Sequence, residues 1–192
     1  MATHGIPIGP GGVAGAALDS GPDIQIDTYI DYMCPFCRRF ERDNGPAIRT
    51  LVDSGRATWV LHPLAFLDRL SNGTDYSTRS SAAAFAVAGI APQALGAFHA
   101  ALFANQPREG SDGLTDEKLA SLATAAGVPT EQVGHLGDKE FVEAALVETG
   151  AALDLGVQGT PTVLATRHGV GRIMWDGETP LPDMVAELEN AS

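Results

Sequence analysis

The sequence predicts an α/β fold, a central mixed sheet flanked by helices with a helical insertion. Three observations predict it. Ile24, Ile26, Thr28 and Ile30 alternate with Gln25, Asp27, Tyr29 and Asp31, and a helical pattern opens at Pro35. Successive helical patterns fill residues 80–136. Two short strand patterns, in GVQGTPTVLAT (156–166) and GRIMW (171–175), then precede a last helical pattern. The 192 residues are 44% apolar, enough for one domain with a sizeable core.

Residues 1–22 are rich in Gly, Ala and Pro and read as a flexible lead-in, with a short extended piece at 6–8. Their glycines do not join a strand to a helix, which argues against a phosphate loop. The first strand covers 24–30. Pro35 suits the first helical position, where its missing N–H costs nothing. Phe36, Phe40, Ile48, Leu51 and Val52 continue the helix to Ser54-Gly55, and Asn44-Gly45-Pro46 is expected to interrupt or kink it. Residues 57–61 read as a second strand, which His62-Pro63 ends or bends. The first strand–helix–strand unit implies parallel pairing with a right-handed crossover.

Residues 71–77 read as a loop. Helices are expected over 80–90 and over 93–105, the latter with Leu95, Phe98, Leu102 and Phe103 at helical spacing. Thr115 is placed to cap a helix over 116–126. A short helix at 129–136 leads to a longer one at 138–155, with Phe141, Val142, Ala145, Leu146 and Leu153 on one face. Pro161 stands at the entrance of the third strand. The fourth pairs with it as a hairpin, and Asp176-Gly177 turns into a helix with Leu181, Met184, Val185 and Leu188 inward. Residues 23–66 and 138–192 thus form the sheet domain, and 67–137 the helical insertion.

Twelve basic residues stand against twenty-four acidic ones, a net charge of −12. That disfavours nucleic acid and anionic membrane surfaces, which need a basic footprint. No run approaches the ~18 apolar residues of a membrane span. The N-terminal stretch lacks the basic start and apolar core of a signal peptide.

The two cysteines, Cys34 and Cys37, sit where the first strand enters its helix. A Cys-x-x-Cys bridge closes too small a loop to act as an effective staple. A metal needs about four ligands; this pair supplies two, and the five histidines are scattered. No metal is expected. A redox pair remains, with two inert thiols as the bland alternative. At the helix start a thiolate on Cys34 meets unpaired N–H groups, a setting in which cysteine pKa values fall to roughly 3.5–7.5. Cys37, one turn on, is the less exposed thiol and the resolving partner.

Strand–CPFC–helix, a helical insertion, then GTPTV before a hairpin and terminal helix resembles the DsbA-like branch of the thioredoxin superfamily, over roughly residues 22–191. ALFANQP at 101–107 also resembles the bacterial forms with the insertion. The resemblance implies a thioredoxin fold and a protein disulfide oxidoreductase. Its cofactor is the Cys34–Cys37 disulfide itself, with Pro35 and Phe36 completing the motif. Pro161 is implied to be cis, with the backbone of Thr160 turned out to pair with an extended substrate. Reduced or unfolded exported proteins are the implied substrates, a membrane quinone-linked reoxidase the implied partner, and a monomer the implied state. The implied location is extracytoplasmic, with a membrane anchor in the full-length form; the alternative is cytoplasmic.

Two positions depart from the family pattern. Where many relatives carry a buried acid, six residues before the first cysteine, this chain has Thr28; Asp31 is the remaining candidate for a proton relay. Phe36 replaces the histidine of the strongest oxidants and offers Cys34 no hydrogen bond. A potential between about −120 and −270 mV is therefore expected. The rival readings are a reductase or isomerase on the same fold, and a redox-inactive module holding peptides at Thr160-Pro161.

Overall fold

The computed structural model describes residues 5–15 and 22–191. Its strands are β1 (Ile6–Ile8), β2 (Ile24–Ile30), β3 (Thr58–Pro63), β4 (Thr162–Arg167) and β5 (Gly171–Met174). They form one mixed sheet in the order β1-β3-β2-β4-β5. β2 and β3 are parallel, with Ile26 opposite Trp59. β4 lies antiparallel to β2 and to β5, and β1 antiparallel to β3. The helices are α1 (Pro35–Asp53), α2 (Tyr76–Ile90), α3 (Leu95–Ala104), α4 (Asp116–Ala126), α5 (Lys139–Asp154) and α6 (Leu181–Asn190). The chain has a thioredoxin fold, with α2, α3 and α4 placed between β3 and α5.

Strand alternation sorts the sheet into two faces. On one, Ile24, Ile26, Ile30, Trp59, Leu61, Val163 and Ala165 meet the inner residues of α1 and α6 in a core that continues into α3 and α4. Each large apolar side chain buried there contributes about 1.5–3 kcal/mol. Thr28 shares this face, and its hydroxyl accepts the Trp59 indole N–H at 2.7 Å. The other face lies under α5 and holds a charged group. His62 meets Glu148 through Nδ1 at 2.7 Å and Asp27 through Nε2 at 3.0 Å. Tyr29 stacks on the imidazole with ring centroids 4.1 Å apart. Burial pulls the His62 pKa down, but hydrogen bonds to both carboxylates outweigh it and the net shift is upward.

Four sequence expectations need correction. The lead-in is not a loose segment where it is described: Ile6 and Ile8 are buried, and β1 pairs with β3. Gly12, at φ +75°, lies against Gly96 of α3, so closely that a Cβ on Gly12 would stand 3.2 Å from the Gly96 Cα. Residues 1–4 and 16–21 of that lead-in lie outside the described residues. α1 runs through Asn44-Gly45-Pro46 without a break. Gly45 leaves room there for the carboxylate of Glu41, one turn earlier, which a Cβ would displace. β3 runs past the expected residue 61 through His62 before it ends at Pro63, and the N–H of Leu64 makes the next bond, to Ile30 O at 2.8 Å. Finally, α5 buries Ala145, Glu148 and Ala152, and leaves Leu146 and Leu153 more than half exposed. Apolar periodicity misplaces this face because a buried acid, paired with His62, occupies its centre.

The folded pKa of His62 lies above its ordinary value of 6.5. Its contribution to stability is therefore complete below 6.5 and is lost as pH rises through the higher folded value. Denaturant titrations should show this decline in the wild type above pH 6.5, and a flatter profile in His62→Leu. That variant strands two buried carboxylates and should lose about 3–5 kcal/mol.

Candidate active site

β2 ends at Ile30, and the turn after it is built around the Asp31 carboxylate. Oδ1 accepts the Met33 N–H and the Ser77 hydroxyl, each at 2.8 Å, and Oδ2 accepts the Leu67 N–H at 3.0 Å. Asp31 is fully buried. Burial raises its pKa to about 6 against the pull of those hydrogen bonds. Its carbonyl accepts the Cys34 N–H at 3.0 Å, which sets Cys34 at the helix cap with extended backbone. Pro35 takes the first helical position, and the Cys34 carbonyl accepts from the N–H groups of Cys37 and Arg38. Strand end, turn and helix start are thus one hydrogen-bonded unit.

Both cysteines are thiols in this structure. Cys37 is fully buried and accepts the Asp31 N–H at 3.5 Å through its sulfur. Cys34 is less exposed than its position at a helix start suggests, at 4% of its surface. The reason is tertiary: the loop before β4 lies over it, and Cys34 Sγ donates to Thr160 O at 3.2 Å. The Thr160–Pro161 bond is cis. The Thr160 carbonyl thus faces Cys34. Phe36 is 68% exposed beside the pair.

The two thiols are driven apart electrostatically. The Cys34 pKa is lowered to about 6, above all by the hydrogen bond from Cys37; burial opposes, while the Thr160 side chain and the N–H groups of Cys37 and Phe36 assist. Cys37 is pushed up, by burial first and then by its role as donor to Cys34. At pH 7 a pKa of 6 leaves the Cys34 thiol roughly nine-tenths ionised. The helix start alone is therefore not the main cause. The arrangement supplies an ionised sulfur beside a protonated one, the asymmetry that thiol exchange needs.

Of the residues singled out in the sequence, the fold gathers Cys34, Cys37, Thr160 and Pro161. Asp31 reaches Cys37 only through its amide; its carboxyl is committed to Met33, Ser77 and Leu67. Sequence reasoning passed over Gln106. Its side-chain amide donates to Tyr32 O at 3.1 Å and to Cys34 O at 2.8 Å, clamping the turn from the inserted segment. It also passed over the chain Tyr32–His99–Glu41–Arg49. Tyr32 Oη meets His99 Nδ1 at 3.0 Å, His99 Nε2 meets Glu41 Oε2 at 3.2 Å, and Arg49 donates to Glu41 Oε1 at 2.8 Å. The one available signal was ALFANQP, which includes Gln106 without indicating what it touches. Among the described residues, no group of three or more His, Cys, Asp or Glu side chains is placed to hold a metal ion.

Iodoacetamide alkylation of Cys34, followed against pH, should titrate with a midpoint near 6. Cys37→Ala removes the leading donor, and its midpoint should move up towards an ordinary thiol. An unmoved midpoint would assign the depression to the helix start instead.

A family model described as Thioredoxin matches residues 21–177. The reduced crystal structure of DsbA from Mycobacterium tuberculosis superposes with a TM-score of 0.80 at 28% identity, covering 98% of this chain and 93% of that one. The reduced disulfide bond oxidoreductase DsbG of the same organism gives 0.78 at 30% identity, over 96% and 86% of the two chains. BdbD from Bacillus subtilis shares the fold, with a TM-score of 0.77 at 18% identity over 96% and 92% of the chains. The serine/threonine-protein kinase PknE of M. tuberculosis is 32% identical over 162 residues, 79% of this chain. The chain spans about a quarter of the length of that kinase, 26%. By its fold, its cysteine pair and these relatives, the chain belongs to the thioredoxin superfamily, among the DsbA-like thiol–disulfide oxidoreductases.

Proposed function

We propose that this protein oxidises thiols in reduced or unfolded exported proteins through Cys34 and Cys37. The observation that carries the reading is the placement of the pair, with Cys34 at the cap of α1 and 3.2 Å from Thr160 O and Cys37 buried one turn on; this placement lowers the Cys34 pKa to about 6 and raises that of Cys37. In the oxidised protein a substrate thiolate attacks Cys34 Sγ. The Cys34–Cys37 bond breaks, Cys37 leaves as a thiolate and takes up a proton, and a mixed disulfide joins Cys34 to the substrate. A second substrate thiolate then attacks the substrate's own sulfur in that bond. Cys34 departs as a thiolate, and two electrons have passed from the substrate to the pair. The cofactor is the cysteine pair itself.

A stabilised Cys34 thiolate favours the reduced protein and so makes the disulfide oxidising. The value near 6 lies between roughly 7 for thioredoxin and roughly 3.5 for DsbA, which supports an intermediate potential. Thr160 and Pro161 frame the substrate path over Cys34, and Phe36 offers an apolar contact beside it. Asp31 holds the turn and is the buried group available to titrate near Cys37. We assign the activity to an extracytoplasmic compartment, where disulfides persist. Recharging falls to a quinone-linked membrane partner, and the working unit is a monomer. No helix among the described residues is long and apolar enough to cross a membrane.

Cys34→Ser should abolish both insulin reduction and the refolding of a reduced disulfide-containing substrate; retained activity would refute the reading. Cys37→Ser should accumulate mixed disulfides visible on non-reducing gels. Equilibration with glutathione buffers should place the potential between about −120 and −270 mV. A value on the oxidising side of about −180 mV supports the oxidase, and one near −270 mV assigns a reductase.

A further inference from the structure

We infer that a basic groove between α1 and α3 receives an acidic segment of the disulfide-exchange partner; this deepens the function proposed above and rests on it. The groove encloses about 310 Å³. Arg38, Arg42 and Arg49 of α1 line one wall, spaced four and seven residues apart and so on one stripe of the helix. Ala100 and Ala104 of α3 line the other, and their small side chains keep it open. The chain carries −12 overall and only twelve basic residues, yet four of them, Arg38, Arg39, Arg42 and Arg49, lie on α1.

Three guanidinium groups face one carboxylate in this lining, that of Glu41. Glu41 is already engaged by Arg49 on one oxygen and by His99 on the other. It therefore anchors Arg49 at the floor rather than repelling an incoming anion. Arg42 already holds Asp43 through Nε at 2.8 Å and Nη2 at 3.1 Å, but this pair lies at the surface, where an incoming carboxylate exchanges with Asp43. Arg38 is exposed and makes no ion pair among the described residues. Guanidinium forks bind carboxylates in a bidentate manner, which selects an acidic polypeptide over a neutral one.

Placement ties the groove to the redox chemistry. The Arg38 N–H donates to Cys34 O at 3.2 Å, so the groove opens one helical turn from the reacting sulfur. From Arg38 to Arg49 the helix rises about 16 Å, a span that roughly five extended residues cover. A chain joined to Cys34 in a mixed disulfide, with Asp or Glu a few residues from its cysteine, can lay those side chains along the arginine stripe.

Two measurements test this. The first uses the Cys34→Ser/Cys37→Ser protein and cysteine-free octapeptides, one Glu-rich and one with Gln in place of each Glu. Calorimetry should show the Glu peptide binding at least about tenfold tighter, and Arg38→Gln/Arg42→Gln in that protein should erase the difference. The second follows turnover of dithiol peptides carrying the same two flanks, with oxidised glutathione present to restore the Cys34–Cys37 disulfide after each cycle. The Glu flank should raise kcat/KM about tenfold, and Arg38→Gln/Arg42→Gln should bring it down to the Gln-flank value. Equal binding of the two peptides, or a preference that survives the arginine variants, overturns the inference. If both dithiol peptides turn over equally, the groove assignment fails while thiol exchange stands. If neither turns over, the exchange reading fails, and the cysteine-free measurement still decides the groove.

Discussion

The Asp31 carboxylate is the constraint on which the redox turn depends. It is wholly buried, and its two oxygens hold groups from three separate segments: Met33 in the turn, Leu67 beyond β3, and Ser77 in α2. A buried acid at this position is costly unless its acceptor capacity is used. Here it is used to join the inserted helices to the end of β2. Gln106 adds a second tie from the same insertion, to the carbonyls of Tyr32 and Cys34. The insertion is thereby part of the machinery that orients the helix start, as well as a cover for the sheet.

Once the turn is set, the contrast between the two sulfurs follows from the hydrogen bond between them and from the deeper burial of Cys37. Cys37 lies one turn into α1, where burial disfavours its thiolate, and it donates its proton towards Cys34. Cys34 gains that hydrogen bond together with those of the helix start. The loop bearing Thr160 and Pro161 closes over the pair from the far end of the chain. The position where relatives often carry an acid is Thr28, which serves the Trp59 indole instead. The charged group of the sheet is moved to the opposite face, where His62 links Asp27 to Glu148.

The strands and helices were legible because each has a strong local signature. Alternation marks β2, Pro35 marks the start of α1, Thr115 caps α4 with a hydrogen bond from the Lys118 N–H at 3.2 Å, and four apolar residues of α6 point inward. The failures share one cause, burial decided by a distant partner. The face of α5 was misread because Glu148 is inside, and it is inside because His62 waits on β3. No local pattern shows α1 continuing past Pro46, and Gly45 beside it leaves room for the Glu41 carboxylate that His99 and Arg49 hold. β1 reads from sequence as a short extended piece in a loose segment, since three residues cannot announce a pairing with β3 fifty residues away.

The sequence by itself determined the fold class, the cysteine pair at a strand-to-helix junction, and the Thr-Pro before a late strand. Each is a short-range pattern whose meaning depends on chain geometry alone. Tertiary structure decided how buried Cys34 is, which atoms depress its pKa, what Asp31 and Gln106 hold, and where the arginines of α1 face. Those properties depend in part on contacts between residues far apart in the chain, such as Asp31 with Ser77 and Cys34 with Thr160, and in part on how the turn brings Cys37 to Cys34. Hydrogen bonds and desolvation act only at contact distance, so no periodicity in the chain encodes them.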